Sequence, residues 1–146
     1  MQKQKIYISN RGNLAGKDPD EENKPDYIEN ALGQGVCVKT DVWVIKDRTV
    51  TGTEHPSTGI NLNIFDKEKL LVQARNPTAL LFLLEEGYHC FWRESDNLIM
   101  TNRNFILSYA GSIFPKSIIM LPEENAILTN NEYMGICSDF ISGWIE

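Results

Sequence analysis

The stretch Gly35 to Val44, GVCVKTDVWV, decides how the chain is read. Val36, Val38, Val42, Trp43 and Val44 form an almost unbroken run of β-branched and aromatic residues, so the segment reads as a strand continuing to Ile45. Lys39, Thr40 and Asp41 interrupt it. Residues two apart in a strand point to the same side, so an ammonium and a carboxylate project together from an otherwise apolar element. An isolated charge is costly in such surroundings. Two accounts stand at this point: an edge strand whose polar face meets solvent, or a functional pair.

Working outward, Lys5 to Ser9 is a short strand candidate, followed by the turn-rich Asn10, Arg11, Gly12 and Asn13. Arg11 beside Gly12 is suited to an anion, because glycine lets a ligand approach the backbone. Residues 13–24 are polar and read as a loop. Pro25 then opens a helix whose Tyr27, Ile28, Ala31 and Leu32 recur at helical spacing before Gly33. After the central strand, a turn at Lys46 to Arg48 leads to a brief strand, Thr49 to Thr53, and a polar end at Glu54, His55 and Pro56. Leu70 to Ala74 is another strand, and Pro77 opens a leucine-rich helix, Ala79 to Glu86, closed by Gly87. Further short strands are predicted at His89 to Glu94, Leu98 to Thr101, Phe105 to Tyr109, Ser117 to Leu121 and Gly135 to Cys137.

The 146 residues suit one domain, 1–146, with a single sizeable core. A composition of 42% hydrophobic and 23% charged residues is that of a soluble globular protein. The longest apolar run, Ala79 to Leu84, is too short to span a bilayer, and MQKQKIYIS lacks a signal peptide's apolar region, so a cytoplasmic protein without a membrane partner is expected. Cys37, Cys90 and Cys137 are odd in number and widely spaced, which fits buried free thiols. A net charge of −6 argues against a nucleic-acid polymer as partner. A local cationic pocket remains open, since a small anion responds to charges within roughly 8 Å.

Polar groups stand at the ends of several predicted strands: Asn10 and Arg11, Lys39 and Asp41, Thr53 and Glu54, Gln73 and Arg75, Arg93 and Glu94, Glu123, and Asp139. Polar residues at one end of successive strands are how a β/α barrel builds its site.

The ordered runs Ser9-Asn10-Arg11-Gly12-Asn13, Glu22-Asn23-Lys24-Pro25, Val38-Lys39-Thr40-Asp41-Val42, Gln73-Ala74-Arg75-Asn76, Phe91-Trp92-Arg93-Glu94, Ser108-Tyr109-Ala110-Gly111 and Met120-Leu121-Pro122-Glu123 resemble a compact glycerophosphodiester phosphodiesterase-like domain, of the phosphatidylinositol phospholipase C-like phosphodiesterases. The resemblance implies an α/β fold: a compact, TIM-like β/α barrel with most outer helices shortened or missing. It also points to compact relatives in viral and phage genomes.

The departures from that pattern are as informative as the matches. Asn10 stands where the family has a histidine, Lys39 where a metal-binding glutamate belongs, and Thr53 and Glu54 where a His-Asp pair is expected. Gln73 and Arg93 replace two further histidines, and Arg75 keeps a lysine's charge. Asparagine and threonine do not exchange protons near neutrality, and each lost acid or base costs about 10²–10⁴ in rate. A lysine in place of a carboxylate ligand disfavours a divalent ion, so neither metal nor other cofactor is expected.

The leading expectation is therefore a catalytically disabled protein that binds and sequesters a phosphorylated small molecule, such as a nucleotide signal. Its ligand-binding residues would be Arg11, Lys39, Asp41, Gln73, Arg75, Arg93 and Glu123, with Trp92 and Tyr109 available for stacking. Trp43 is a further aromatic candidate. One alternative is an active phosphodiesterase using His55, Glu54 or Glu123. Another is a structural or protein-interaction role, with Arg11 paired to Asp41 or Glu123 and Lys39 to Glu54. A chain this short leaves strand surface that a second copy could cover, so a homo-oligomer is also open.

Overall fold

The computed structural model describes residues 4–109, 114–125 and 132–145; Ala110 and Gly111 of the resembling runs lie outside them. Ten strands occur among the described residues: β1 (Ile6–Asn10), β2 (Cys37–Ile45), β3 (Arg48–Thr51), β4 (Thr58–Gly59), β5 (Leu70–Ala74), β6 (Cys90–Trp92), β7 (Leu98–Met100), β8 (Ile106–Ser108), β9 (Ile118–Met120) and β10 (Gly135–Ser138). Three short helices accompany them: α1 (Pro25–Gly33), α2 (Pro77–Glu85) and α3 (Pro122–Asn125).

Seven strands lie parallel in the order β6-β5-β2-β1-β10-β9-β8, and β7 adds antiparallel to β8 at one end. The nine residues of β2 do two jobs. Its first part is flanked by β1 and β5, with Lys39 opposite Asn10 on one side and Leu71 on the other. Its last part leaves them and pairs antiparallel with β3, which pairs in turn with β4. Lys39 and Asp41 therefore sit in the middle of the sheet, and the solvent-facing edge account is excluded.

The alternation of side chains along these strands sorts the apolar residues into two clusters on the two faces of the sheet. Val38, Val42, Val72, Ala74 and Ile136 face outward and pack with Ile28 and Ala31 of α1 and Ala79 and Leu83 of α2. Ile8, Leu71, Phe91, Leu107, Ile118, Met120 and Cys137 face the concave side. Pro25 and Pro77 occupy the first turns of their helices, where a missing N–H costs nothing. Asn76 caps α2 by accepting from the Ala79 N–H at 3.0 Å.

The expected TIM-like β/α barrel is corrected by this arrangement. The sheet is a curled, mixed half-barrel rich in strand, and among the described residues α-helices follow only β1, β5 and β9. The chain between β2 and β5 is spent on β3, β4 and two single turns of 3₁₀ helix, and that between β6 and β8 on the antiparallel β7. Hairpins occupy the places where an ordinary β/α barrel has crossover helices, and 146 residues fall far short of the ≈ 250 of such a barrel. Among the described residues no ladder joins β6 to β7 or β8. Asn102 covers the free edge of β6 instead: its side chain accepts from Cys90 N at 2.9 Å and donates to Tyr88 O at 2.8 Å, and its N–H donates to Cys90 O at 3.2 Å. Among the described residues no helix is long and apolar enough to cross a membrane.

Close approach of β10 to β1 depends on Gly135, where an added Cβ would lie 2.4 Å from the Ile6 carbonyl oxygen. Gly135→Ala is expected to destabilise the protein by about 1–3 kcal/mol, as overpacking does. Urea unfolding measures this, and an unchanged midpoint would show that the β1–β10 seam yields freely.

Candidate functional site

The parallel strands all end on one side, and their last inward-facing residues converge there. Asn10 ends β1 and Arg11 follows it; Lys39 and Asp41 lie on β2; Gln73 is on β5 and Arg75 follows it; Arg93 follows β6, and Tyr109 follows β8. Asn10, Arg11, Lys39, Gln73, Arg75, Arg93 and Tyr109, with Met120, Leu121 and Glu124, line a cavity of about 170 Å³. Its position follows from parity along each strand: inward positions are apolar at the start, as in Ile8, Leu71 and Phe91, and become polar two residues later.

Asp41 lies directly beneath, with no exposed surface. Its Oδ1 accepts from Lys39 Nζ at 2.8 Å and lies 3.8 Å from Arg75 Nη1; its Oδ2 accepts from Arg11 Nε at 2.7 Å and Asn23 Nδ2 at 3.0 Å. Three cations thus share one carboxylate, with Glu22 a second, looser partner of Arg11 at 3.7 Å. Burial alone would raise the Asp41 pKa, but Lys39 and Arg11 outweigh it and hold the carboxyl at about 2. Lys39, only 3% exposed, responds in the other direction. Burial draws its pKa down, Arg11 adds to that, and the attraction of Asp41 recovers only part. The pair is thus unequal: the carboxylate has more positive charge than it needs, and the lysine shares its counter-ion.

Asn23 holds this centre to the loop before α1. Its backbone is left-handed (φ 68°), and its Oδ1 accepts from Asp41 N at 3.1 Å and Thr40 Oγ1 at 2.8 Å. Asparagine tolerates that conformation better than most residues. Asn23 was given no site role from sequence, though Glu22-Asn23-Lys24-Pro25 belongs to the resembling runs; an Asn in a polar loop before a proline is a turn signal without a partner until the fold supplies one. Leu121 was missed in the same way. Like Arg11 (φ 61°) it is left-handed (φ 53°), and each donates its N–H to a neighbouring strand at 2.7 Å, Arg11 to Lys39 O and Leu121 to Cys137 O. Gly12 does not serve ligand approach as expected: it backs onto Tyr27 of α1, whose ring atom an added Cβ would meet at 2.5 Å.

The other candidates are placed apart from the cavity. Trp92 points to the outer apolar cluster, and Glu123 accepts from Ser138 Oγ at 2.6 Å and Asp139 N at 3.2 Å. Thr53 accepts from Asn23 Nδ2 at 3.2 Å, while Glu54 and His55 are exposed and do not line the cavity. The second histidine, His89, bonds Thr101 Oγ1 at 2.7 Å at the far end of β6, and burial together with Arg103 lowers its pKa to about 4. Asp139 is buried, with Oδ1 accepting from Asn10 and Asn13 at 2.8 and 2.9 Å. Trp43 packs under Arg75, whose guanidinium carbon is 5.8 Å from the ring centroid. Arg93 lies over the Tyr109 ring at 3.8 Å. The three cysteines are free thiols; Cys90 and Cys137 are buried and Cys37 is half-buried. Among the described residues no three His, Cys, Asp or Glu side chains gather as a metal site.

No protein-family model, no curated protein and no solved structure matches the chain.

Replacing Asp41 by Asn leaves its cations without their shared counter-ion, and is expected to cost about 3–5 kcal/mol at neutral pH, as breaking a buried pair does. In the wild type the depressed Asp41 pKa contributes stability that is complete above the ordinary carboxylate range and is lost as pH falls from about 4 toward 2. Lys39 does not offset this acid limb, because a lowered lysine pKa makes stability rise only as pH climbs through that pKa. Urea unfolding of both proteins at neutral and acid pH tests the scheme. An Asp41→Asn protein as stable as wild type at neutral pH would show that the centre is not held by this carboxylate.

Proposed function

We propose that the protein binds a small phosphorylated molecule in this cavity and holds it without cleaving it. One observation carries the reading: four cationic side chains line a cavity whose only lining carboxylate among the described residues is Glu124, while Asp41 is turned beneath three of them. Glu124 is itself within 3.4 Å of Lys17. Phosphate oxygens accept charge-assisted bonds from guanidinium forks and ammonium groups. Of the two pairings in the alternative of an empty, satisfied mouth, Arg11 with Asp41 is present at 2.7 Å, but Lys39 is not paired with Glu54: it shares Asp41 with Arg11 and Arg75, so three cations face one carboxylate and positive charge is left for a ligand.

Binding without cleavage is favoured because no imidazole lines the cavity among the described residues, and Asn10 and Gln73 hydrogen-bond without titrating. Bonds from Lys39 and Arg11 already engage both oxygens of Asp41, which speaks against its ligating a divalent ion. The Arg93–Tyr109 pair offers a flat surface for a base or sugar, which makes a nucleotide a good candidate.

Isothermal titration with inorganic phosphate and with linear and cyclic nucleotides is the test. Binding is expected, unchanged by Mg²⁺, Ca²⁺ or Mn²⁺ and weakened about tenfold or more by Lys39→Ala, the equivalent of one hydrogen bond to a charged group. No heat with any of these ligands at tens of micromolar would overturn the reading.

A further inference from the structure

Three of the cavity's four cations are guanidiniums, which stay protonated and do not act as nucleophiles. The fourth, Lys39, is a primary amine, and anion binding leaves its nucleophilicity unused. It is enclosed, is bonded only to Asp41 among the described residues, and has Arg11 on the same carboxylate. Desolvation beside a second cation is the setting in which a lysine amine becomes available for attack on a carbonyl. Arg75 and Arg93 line the same cavity from β5 and β6 and can hold an anionic group while the amine reacts. Tyr109 lines it too; its hydroxyl makes no hydrogen bond among the described residues, and burial keeps it protonated.

We propose that Lys39 forms an imine with a small aldehyde or ketone that carries a phosphate. The orienting part of this proposal rests on the anion-binding reading above. In the step itself, the ammonium first gives a proton to water. The free electron pair on Nζ then forms a bond to the carbonyl carbon while the C=O π pair moves to oxygen, and a proton passes from Nζ to that oxygen, which restores the nitrogen pair in the neutral carbinolamine. The hydroxyl takes up the proton first given to water and leaves as water, and the nitrogen pair closes the C=N bond, so no oxidant or reductant is consumed. The protonated imine keeps a positive charge at Nζ, so the 2.8 Å ion pair with Asp41 persists and favours the iminium over the neutral imine. Tyr109 is a donor for the departing oxygen. Lys39 therefore differs from the exposed lysines Lys17, Lys24, Lys46, Lys69 and Lys116, which do not line this cavity, where bound phosphate would raise the local concentration of such a compound.

The test treats the protein with glycolaldehyde phosphate, reduces any imine with cyanoborohydride and maps the adducts by peptide mass. Lys39 is expected to be modified about tenfold or more over any exposed lysine, faster as pH rises, with the preference suppressed by inorganic phosphate and lost with unphosphorylated glycolaldehyde. Lys39→Arg, which keeps the charge, abolishes the preferred adduct. An unmodified Lys39, or one modified no more than the surface lysines, overturns the proposal. If calorimetry of the same wild-type protein then still detects phosphate, only the imine is lost; if it does not, the anion-binding reading falls as well.

Discussion

The cavity end of the molecule depends on one buried carboxylate. Burying Asp41 carries a desolvation penalty of several kcal/mol before partners are counted, and the chain offsets it with groups from four separate segments: Lys39 from its own strand, Arg11 from the end of β1, Arg75 from the end of β5, and Asn23 from the loop before α1. Each of these segments is thereby positioned by the same two oxygens. Asn23 extends the tie, since its backbone oxygen accepts from Thr51 Oγ1 at 2.7 Å and so links the loop to β3. The charge imbalance on which the proposed anion binding rests comes from one acid shared among several bases.

The geometry is held against local backbone preference. Arg11 and Leu121 are non-glycine residues in the left-handed region, a conformation costing of order 1–3 kcal/mol each. Both stand immediately past a strand end and both line the cavity. Their N–H groups bond to the neighbouring strands, so the strain is compensated by hydrogen bonds that continue the sheet one residue beyond the ladder. For Arg11 the result is a side chain turned back over Asp41 rather than continuing along the strand.

Much of this was legible in the sequence because it follows from parity. Apolar runs marked the strands, and polar residues at their ends marked Asn10, Arg11, Lys39, Gln73, Arg75 and Arg93; parity accounts for Asn10, Gln73 and Arg93, each two positions after an inward apolar residue. The same rule, applied strictly, separates Trp92 from its neighbours: Phe91 faces inward, so Trp92 faces the outer cluster. Closure of the sheet was not legible. Whether two distant edges pair depends on non-local ladder bonds that leave no periodic trace, and β7, a three-residue hairpin strand, looks the same in sequence whether it extends an open sheet or completes a closed one. Asn23 and Leu121 were hidden for a related reason, since their roles lie in backbone conformations that only the assembled partners impose.

The open seam has a consequence for the site. Arg93 follows β6, one edge of the sheet, and Tyr109 follows β8, whose outer side is paired with β7; among the described residues no ladder joins β6 to either strand. At the opposite end of β6 the edge is satisfied by Asn102; at the cavity end the wall is a cation–π contact between side chains. Such a contact is worth about 0.5–2 kcal/mol, and it spans a stretch where a closed barrel would place several backbone hydrogen bonds. Arg93 keeps a further bond, from Nε to Asp96 O at 2.9 Å, which belongs to its own loop and not to β8. Between Arg93 and Tyr109 the cavity wall is therefore a side-chain contact, while the opposite wall is built on the paired strands β1 and β2 and the buried Asp41.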